Sequence, residues 1–285
     1  MAEGVTTLRE RLAADLAVRF GEPVAVPEGV SEEGLIALAR LAGRASNRRF
    51  WPEPVDPALV RLVCAAALSA PSKSDLQQAD IVLVSDPAKR AAIEAWLPGN
   101  PWVKRAPVLL VDCANNARQR AIHALRGHPF ANDHLDAFCN ATFDAGILLG
   151  ALILAAEAVG LATCPISAIR DEAGKVSDLL ALARHVFPCA GLALGWPDGR
   201  APISPRLPLS LTLRENTHAG AEVAEAIAAY DVYRERLRPH PRQRDVGRFG
   251  EVHPYGWSED KARQYASPQR VEFGAFIRER GFRLD

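Results

Sequence analysis

"AGILLGALILAAEAVGLATCPIS", residues 145–167, is the stretch from which the fold can be read outward. Ala145–Ala156 is the longest apolar run in the chain. It is too short to span a bilayer and is bracketed by Asp144 and Glu157, so it reads as part of a buried core helix. The helical pattern extends over 133–159, and Gly160 closes it. "LATCPIS" (161–167) then reads as a strand running into a loop.

Upstream, "DIVLVSD" (80–86) and "APVLLVDC" (106–113) read as buried strands; downstream, "FPCAGLALGWP" (187–197) is a third. Helices fall between them. Leu8, Leu12 and Leu16 mark an N-terminal amphipathic helix that "GEPVAVPEG" (21–29) breaks. Ser31 caps a second, which Gly43 is placed to end, and Asp56-Pro57 opens a third that stops near "SAPS" (69–72). Asp86-Pro87 starts another helix, and 171–183 is a further one. "LSLTLRE" (209–215) alternates like a short strand, 221–237 is helical, and a terminal helix opens at Ser267-Pro268 and closes at Gly281. Interleaved strands and helices make the class α/β or α+β. The natural divisions are an N-terminal helical extension (1–42), a core (43–215) and a C-terminal helical extension (216–285).

The chain has 285 residues, 34 Lys+Arg against 34 Asp+Glu, and 48% hydrophobic residues. That composition suits a globular fold and argues against a nucleic-acid partner, which calls for a basic excess. The five cysteines form no C-x-x-C pair and the N-terminus has no apolar signal region, so the expected setting is cytoplasmic, with reduced thiols and no membrane partner. The seven histidines show no ligand spacing, and no metal site is expected. Dinucleotide, P-loop and nucleophile-elbow motifs are all absent from the sequence.

The chemistry concentrates in a few loops. In "GRASNRRFW" (43–51), Arg44, Ser46 and Arg48 alternate after a helix end and before Pro52. Extended backbone puts all three on one face, which offers two guanidinium forks and a hydroxyl to one small anion such as a phosphate monoester. A solvated basic turn is the plainer reading of the same residues. "SAPSKSDLQ" (69–77) places Pro71, Ser72, Lys73, Ser74 and Gln77 in a short loop, "TCPISAIR" (163–170) ends a strand, and "SPRLP" (204–208) holds Arg206 between prolines.

Taken in order and at this spacing, R-x-S-x-R-x-F (44–50), A-P-S-x-S-x-x-Q (70–77), the Ala/Gly-rich helix ending in "AVGLATCPIS", "GLALGWP" and "PRLPL" (205–209) resemble the FMN-dependent nitroreductase family. The tail ending "RGFRLD" is similar to the extension of its longer members. The resemblance implies an α+β fold, a homodimer with swapped terminal segments, and FMN at the interface. It also implies an oxidoreductase in which NADPH or NADH gives hydride to flavin N5 and leaves, after which a nitroaromatic or quinone takes its place. By the same resemblance Arg44, Ser46, Arg48 and Arg206 hold the phosphate and ribityl chain. Pro71, Ser72, Lys73, Ser74 and Gln77 meet the ring and ribityl, and Pro165, Ile166 and Ser167 lie along the ring edge, chiefly through backbone. No side chain is a catalytic nucleophile in this scheme. Lys73 or Arg48 would supply positive charge near the reduced ring.

Three departures stand out: Asp75 where many members have Asn, "QA" after Gln77 where many read Pro-Trp, and Ser204 where a lysine often precedes Pro-Arg. They leave open a specialised flavoenzyme of the same family (flavin fragmentation, reductive dehalogenation or ring oxidation) or a flavin-binding module without turnover. The apolar stripes Leu8, Leu12, Leu16 and Val223, Ile227, Tyr230 are expected to meet a second copy of the chain.

Overall fold

A computed structural model describes residues 7–218 and 222–285. In chain order the elements are α1 (Leu8–Phe20), α2 (Glu32–Gly43), α3 (Pro57–Leu68), β1 (Ala79–Leu83), α4 (Pro87–Ala95), β2 (Val108–Asn115), α5 (Ala117–Arg126), α6 (Leu135–Ala158), β3 (Ala162–Ile166), α7 (Ala173–Leu179), β4 (Val186–Gly195), α8 (Leu209–Thr212), α9 (Val223–Leu237), α10 (Val246–Phe249), α11 (Trp257–Tyr265) and α12 (Phe273–Glu279). The four strands form one antiparallel sheet in the order β1-β2-β4-β3, so the class is α+β. The chain divides into two compact units: Met1–Ala45 with Pro202–Gln269, and Ser46–Ala201 with Arg270–Asp285.

The sheet belongs to the second unit. β2 is buried along its whole length, which is why Val108–Val111 run apolar without alternation; Asp112 and Asn115 are buried with them. One face of the sheet packs Leu109, Val111 and Cys113 with Phe50, Ile93, Val103 and Ile166. The other packs Leu110, Leu192 and Leu194 with Val60, Val63 and Ala67 of α3 and Leu148 and Leu152 of α6. α6 is long and apolar enough to cross a membrane by length and composition, yet Ala137, Ala141, Asp144, Ala145, Leu148, Leu152 and Ala156 form a buried stripe at helical spacing. That stripe packs on α3 and on all four strands. A third cluster joins Phe187 of β4 to Phe138 of α6 and to Ile277 and Phe282 near the C-terminus.

In the first unit α1 is defined by local chemistry. Thr7 and Glu10 form a reciprocal capping box, and Gly21 closes the helix at φ 75°. Leu12, flanked by Leu16, packs against Leu35, Ala39 and Ala42 of α2. Leu12 and, in part, Leu16 of the expected stripe are therefore covered within the chain, while Leu8 lies outside this cluster. Tyr230 is likewise buried and meets Trp257 edge-on, whereas Val223 stays exposed.

Several other expectations need correction. Residues 209–215 do not form a strand: Leu209–Thr212 is one helical turn, with Leu213 N–H donating to Leu209 O at 2.7 Å. A four-residue alternation fits both periods, and local hydrogen bonds decide the outcome. The terminal helix begins at Phe273, not at Ser267, because Arg270 adopts φ 53°. Gly281 does terminate that segment, at φ 94°, and a side chain there would collide with Arg184 and His185. The helix expected over 171–183 is split into a 3-10 turn, Ser167–Glu172, and α7. Gly43 is the last helical residue of α2, and Arg44 leaves it in extended conformation. The sequence reading assigns no helix to α5, which exposes Ile122 and Leu125, buries Gln119 and is closed by Gly127 at φ 69°.

Candidate functional site

Arg44 and Arg206 are distant in sequence but line one cavity of the first unit, of about 420 Å³. Its walls are otherwise mainly apolar (Leu12, Leu16, Phe20, Val26, Leu38 and Leu41), with Arg19 as the third cation. Arg206 is exposed; its guanidinium donates to the carbonyls of Ser204 and Pro205 at 3.3 and 3.1 Å. Prolines 202, 205 and 208 keep this segment free of regular structure up to α8.

Ser46 and Arg48 belong to the second unit. Between them Asn47 is buried, and its backbone N–H donates to Thr163 O of β3 at 2.9 Å. Its side-chain amide donates to Gly199 O at 3.0 Å. Residues 44–49 carry no helix or turn, as the alternating Arg-Ser-Arg pattern requires, so Ser46 and Arg48 face away from Asn47. Arg48 is exposed and stands 5.8 Å from the centroid of Trp102.

The loop after α3 is held by side-chain hydrogen bonds from several directions. Pro71, Ser72 and Gln77 line a cavity of about 310 Å³ with Ala67, Leu68, Leu148, Asp80 and Arg118. Ser74, Asp75 and Gln77 all adopt positive φ, at 51°, 56° and 51°, an arrangement costly for residues with a Cβ. Asp144, only 3% exposed, secures it: its two oxygens accept the backbone N–H groups of Lys73 at 2.9 Å and Gln78 at 3.0 Å. Ser72 Oγ accepts from Gln77 N–H at 3.1 Å, Gln77 Nε2 donates to Asp75 at 3.1 Å, and Arg118 donates to Gln77 O and to Asp80. Asp144 and Arg118 escaped the sequence reading. The signal for Asp144 was there, as one carboxylate inside an otherwise apolar helix.

At the end of β3, Pro165 is half-buried and Ile166 turns its side chain into the core, while Ser167 is exposed at the start of a 3-10 turn. Burial pushes the thiols of Cys64 and Cys113 up, and burial together with the nearby Asp112 takes Cys189 to about 12.

The nitroreductase family model matches residues 41–196, and the model of that family's C-terminal domain matches 204–285. The chain belongs to the nitroreductase family. Among its nitroreductase-family relatives is an FMN reductase [NAD(P)H] of Bacillus subtilis, 31% identical over 253 residues, covering 87% of this chain and 98% of that protein. An oxygen-insensitive NADPH nitroreductase of Salmonella typhimurium is 34% identical over 192 residues, covering 67% of this chain and 78% of its own. The solved structure of the hypothetical oxidoreductase YcnD from Bacillus subtilis superposes with a TM-score of 0.78 at 29% identity, covering 87% of this chain and 98% of that one. The chain has the nitroreductase fold and is an oxidoreductase of that family; its helix α1 lies ahead of the matched segments.

Proposed function

We propose that this chain is an FMN-dependent NAD(P)H oxidoreductase that reduces an electron-poor small molecule, a nitroaromatic or a quinone, in two separate half-reactions. The observation that carries the reading is the convergence of Arg44 and Arg206 on one cavity within a nitroreductase-family chain. Relatives named as an FMN reductase and an NADPH nitroreductase support it. The donor set fits the cofactor. Guanidinium forks donate paired N–H bonds to a phosphate dianion, as Arg44 and Arg206 are suited to do, with Ser46 and Arg48 assigned to the same end. Pro71, Ser72 and Gln77 offer hydroxyl and amide groups beside the apolar Ala67, Leu68 and Leu148, with Lys73 and Ser74 assigned from the same loop, as a ribityl chain and flat ring require.

When bound, FMN supplies hydride acceptance and release at N5, first with the nicotinamide and then with the acceptor. The protein's part is to bind and orient. Asp144 holds the 72–78 loop in one conformation, and Lys73 or Arg48 is assigned to balance negative charge on the reduced ring. Pro165, Ile166 and Ser167 present backbone along the ring edge, consistent with an Ile166 side chain turned to the core. No cysteine serves as nucleophile.

The assembly assigned to this function is a homodimer. On the face of α6 opposite its buried stripe, Phe143 is 70% exposed, with Ile147 and Leu154 above 40%, and a second copy is the natural cover. Sedimentation velocity should give a dimer; a flavin-loaded monomer contradicts it. The enzymatic reading is tested by colour. The purified protein should be yellow, bleach anaerobically with NADPH or NADH, and recover its colour on adding a nitroaromatic or quinone. A colourless protein that gains nothing from added FMN overturns the reading. A yellow one that neither nicotinamide bleaches indicates a binder without this turnover.

A further inference from the structure

We propose that Arg19 of α1 is a positioning residue for the flavin phosphate, and that α1, which lies ahead of the family-matched segments, serves as a built-in clamp on the cradle. The proposal rests on the FMN reading above and deepens it. Arg19 is only 7% exposed, and its guanidinium is spent on backbone carbonyls of both stretches that carry the cradle. Nε and Nη2 donate to Ala42 O at 3.0 and 2.5 Å, and Nη2 also to Arg44 O at 2.7 Å. Nη1 donates to Ser204 O at 3.0 Å. The Arg19 carbonyl in turn accepts the backbone N–H of Arg206 at 2.6 Å. One residue thus joins the exit of α2 to the proline-rich segment before α8.

The chemistry suits the task. Arg offers five N–H donors in a rigid planar fork, so one side chain can hold several carbonyls in fixed relation. A cation at Ala42 O and Arg44 O also lies at the negative end of α2. The clamp is itself anchored. The Tyr233 hydroxyl donates to Val18 O at 2.8 Å, and the Leu209 N–H donates to Glu22 at 3.1 Å. Around the same segment Arg238 donates to Ser204 Oγ at 2.7 Å and Tyr230 to Pro205 O at 3.1 Å. With Arg19, Arg44 and Arg206 on one cavity and Arg238 at Ser204, positive charge is concentrated where an anion is to be held. A segment that lacks regular structure loses entropy when its arginine engages a ligand, and fixing its backbone beforehand removes part of that loss.

The test titrates FMN and riboflavin into flavin-free full-length protein, followed by flavin fluorescence, for the unmodified chain, Arg19→Ala, Arg19→Lys and Tyr233→Phe. Arg19→Ala should weaken FMN about tenfold to a hundredfold and leave riboflavin, which has no phosphate, within about threefold. Arg19→Lys, whose ammonium cannot reproduce the fork, should fall between. Tyr233→Phe removes a hydroxyl bonded to Ala17 O and Val18 O and leaves every Arg19 contact in place; it should lower the melting temperature and keep the FMN-to-riboflavin ratio. An unchanged ratio in both Arg19 variants, with the unmodified chain still preferring FMN, overturns the clamp and leaves the flavin reading standing. So does an equal change of ratio in Tyr233→Phe. If Arg19→Ala does not fold, the ratio in Arg19→Lys decides alone. No FMN preference in the unmodified chain overturns both.

Discussion

Replacing Asp144 by alanine should release the loop over 72–78, and the size of the effect can be worked from its contacts. The carboxylate is buried and accepts two backbone N–H groups, from Lys73 and Gln78. Each hydrogen bond to a charged group contributes about 1.5–3 kcal/mol, so the pair is worth about 3–6 kcal/mol. Opposing it are three residues with a Cβ at positive φ (Ser74, Asp75 and Gln77), at a cost of about 1–2 kcal/mol each. The two sums are similar, so without Asp144 the loop has little reason to keep its conformation. Opening the loop also limits the loss felt by the whole domain, since a local transition relieves the unpaired donors before the sheet unfolds. Native-state hydrogen exchange separates these. In Asp144→Ala the amides of Lys73 and Gln78 should lose most of their protection, those of β2 should lose far less, and FMN should bind more weakly. Asp144→Asn keeps one acceptor oxygen and should show roughly half the free-energy change. If Lys73 and Gln78 remain protected in Asp144→Ala while global stability drops by less than about 1 kcal/mol, the carboxylate is not what holds the loop.

Arg206→Ala should weaken FMN about tenfold to a hundredfold and leave riboflavin almost unchanged; equal losses for the two ligands in parallel titrations remove Arg206 from the phosphate cradle. Cys164 is buried in the core beside the proposed ring-edge segment, and Cys164→Ala should keep steady-state turnover within about an order of magnitude; near-total loss with FMN still bound points to thiol chemistry. Asp112 lies fully buried on β2, and burial pushes its carboxyl from 3.8 up to about 8. The folded state therefore holds a proton that the unfolded chain has released, so stability from this group is full below about pH 4 and falls as pH rises toward about 8. Urea unfolding across that range should show the decline, and Asp112→Asn should flatten it; an unchanged slope in the variant refutes the assignment.

The local elements of this protein were legible from its sequence because their causes are local. Ser31, Asp56-Pro57 and Asp86-Pro87 start helices by capping chemistry that a few neighbouring residues complete. Continuous apolar runs marked the buried strands β2 and β4, and the order of short motifs carried the family. Legibility failed where two solutions fit one pattern, as at Leu209–Thr212, or where a backbone turn such as that at Arg270 has no residue signature. Other features were decided only by tertiary structure. The strand order β1-β2-β4-β3, the Asp144 carboxylate reaching the amides of Lys73 and Gln78, and Arg19 joining Arg44 to Ser204 each pair groups far apart in the chain. A buried charge or an unpaired carbonyl has to find its partner in three dimensions, and sequence spacing does not say which of many donors the packing will bring within 3 Å.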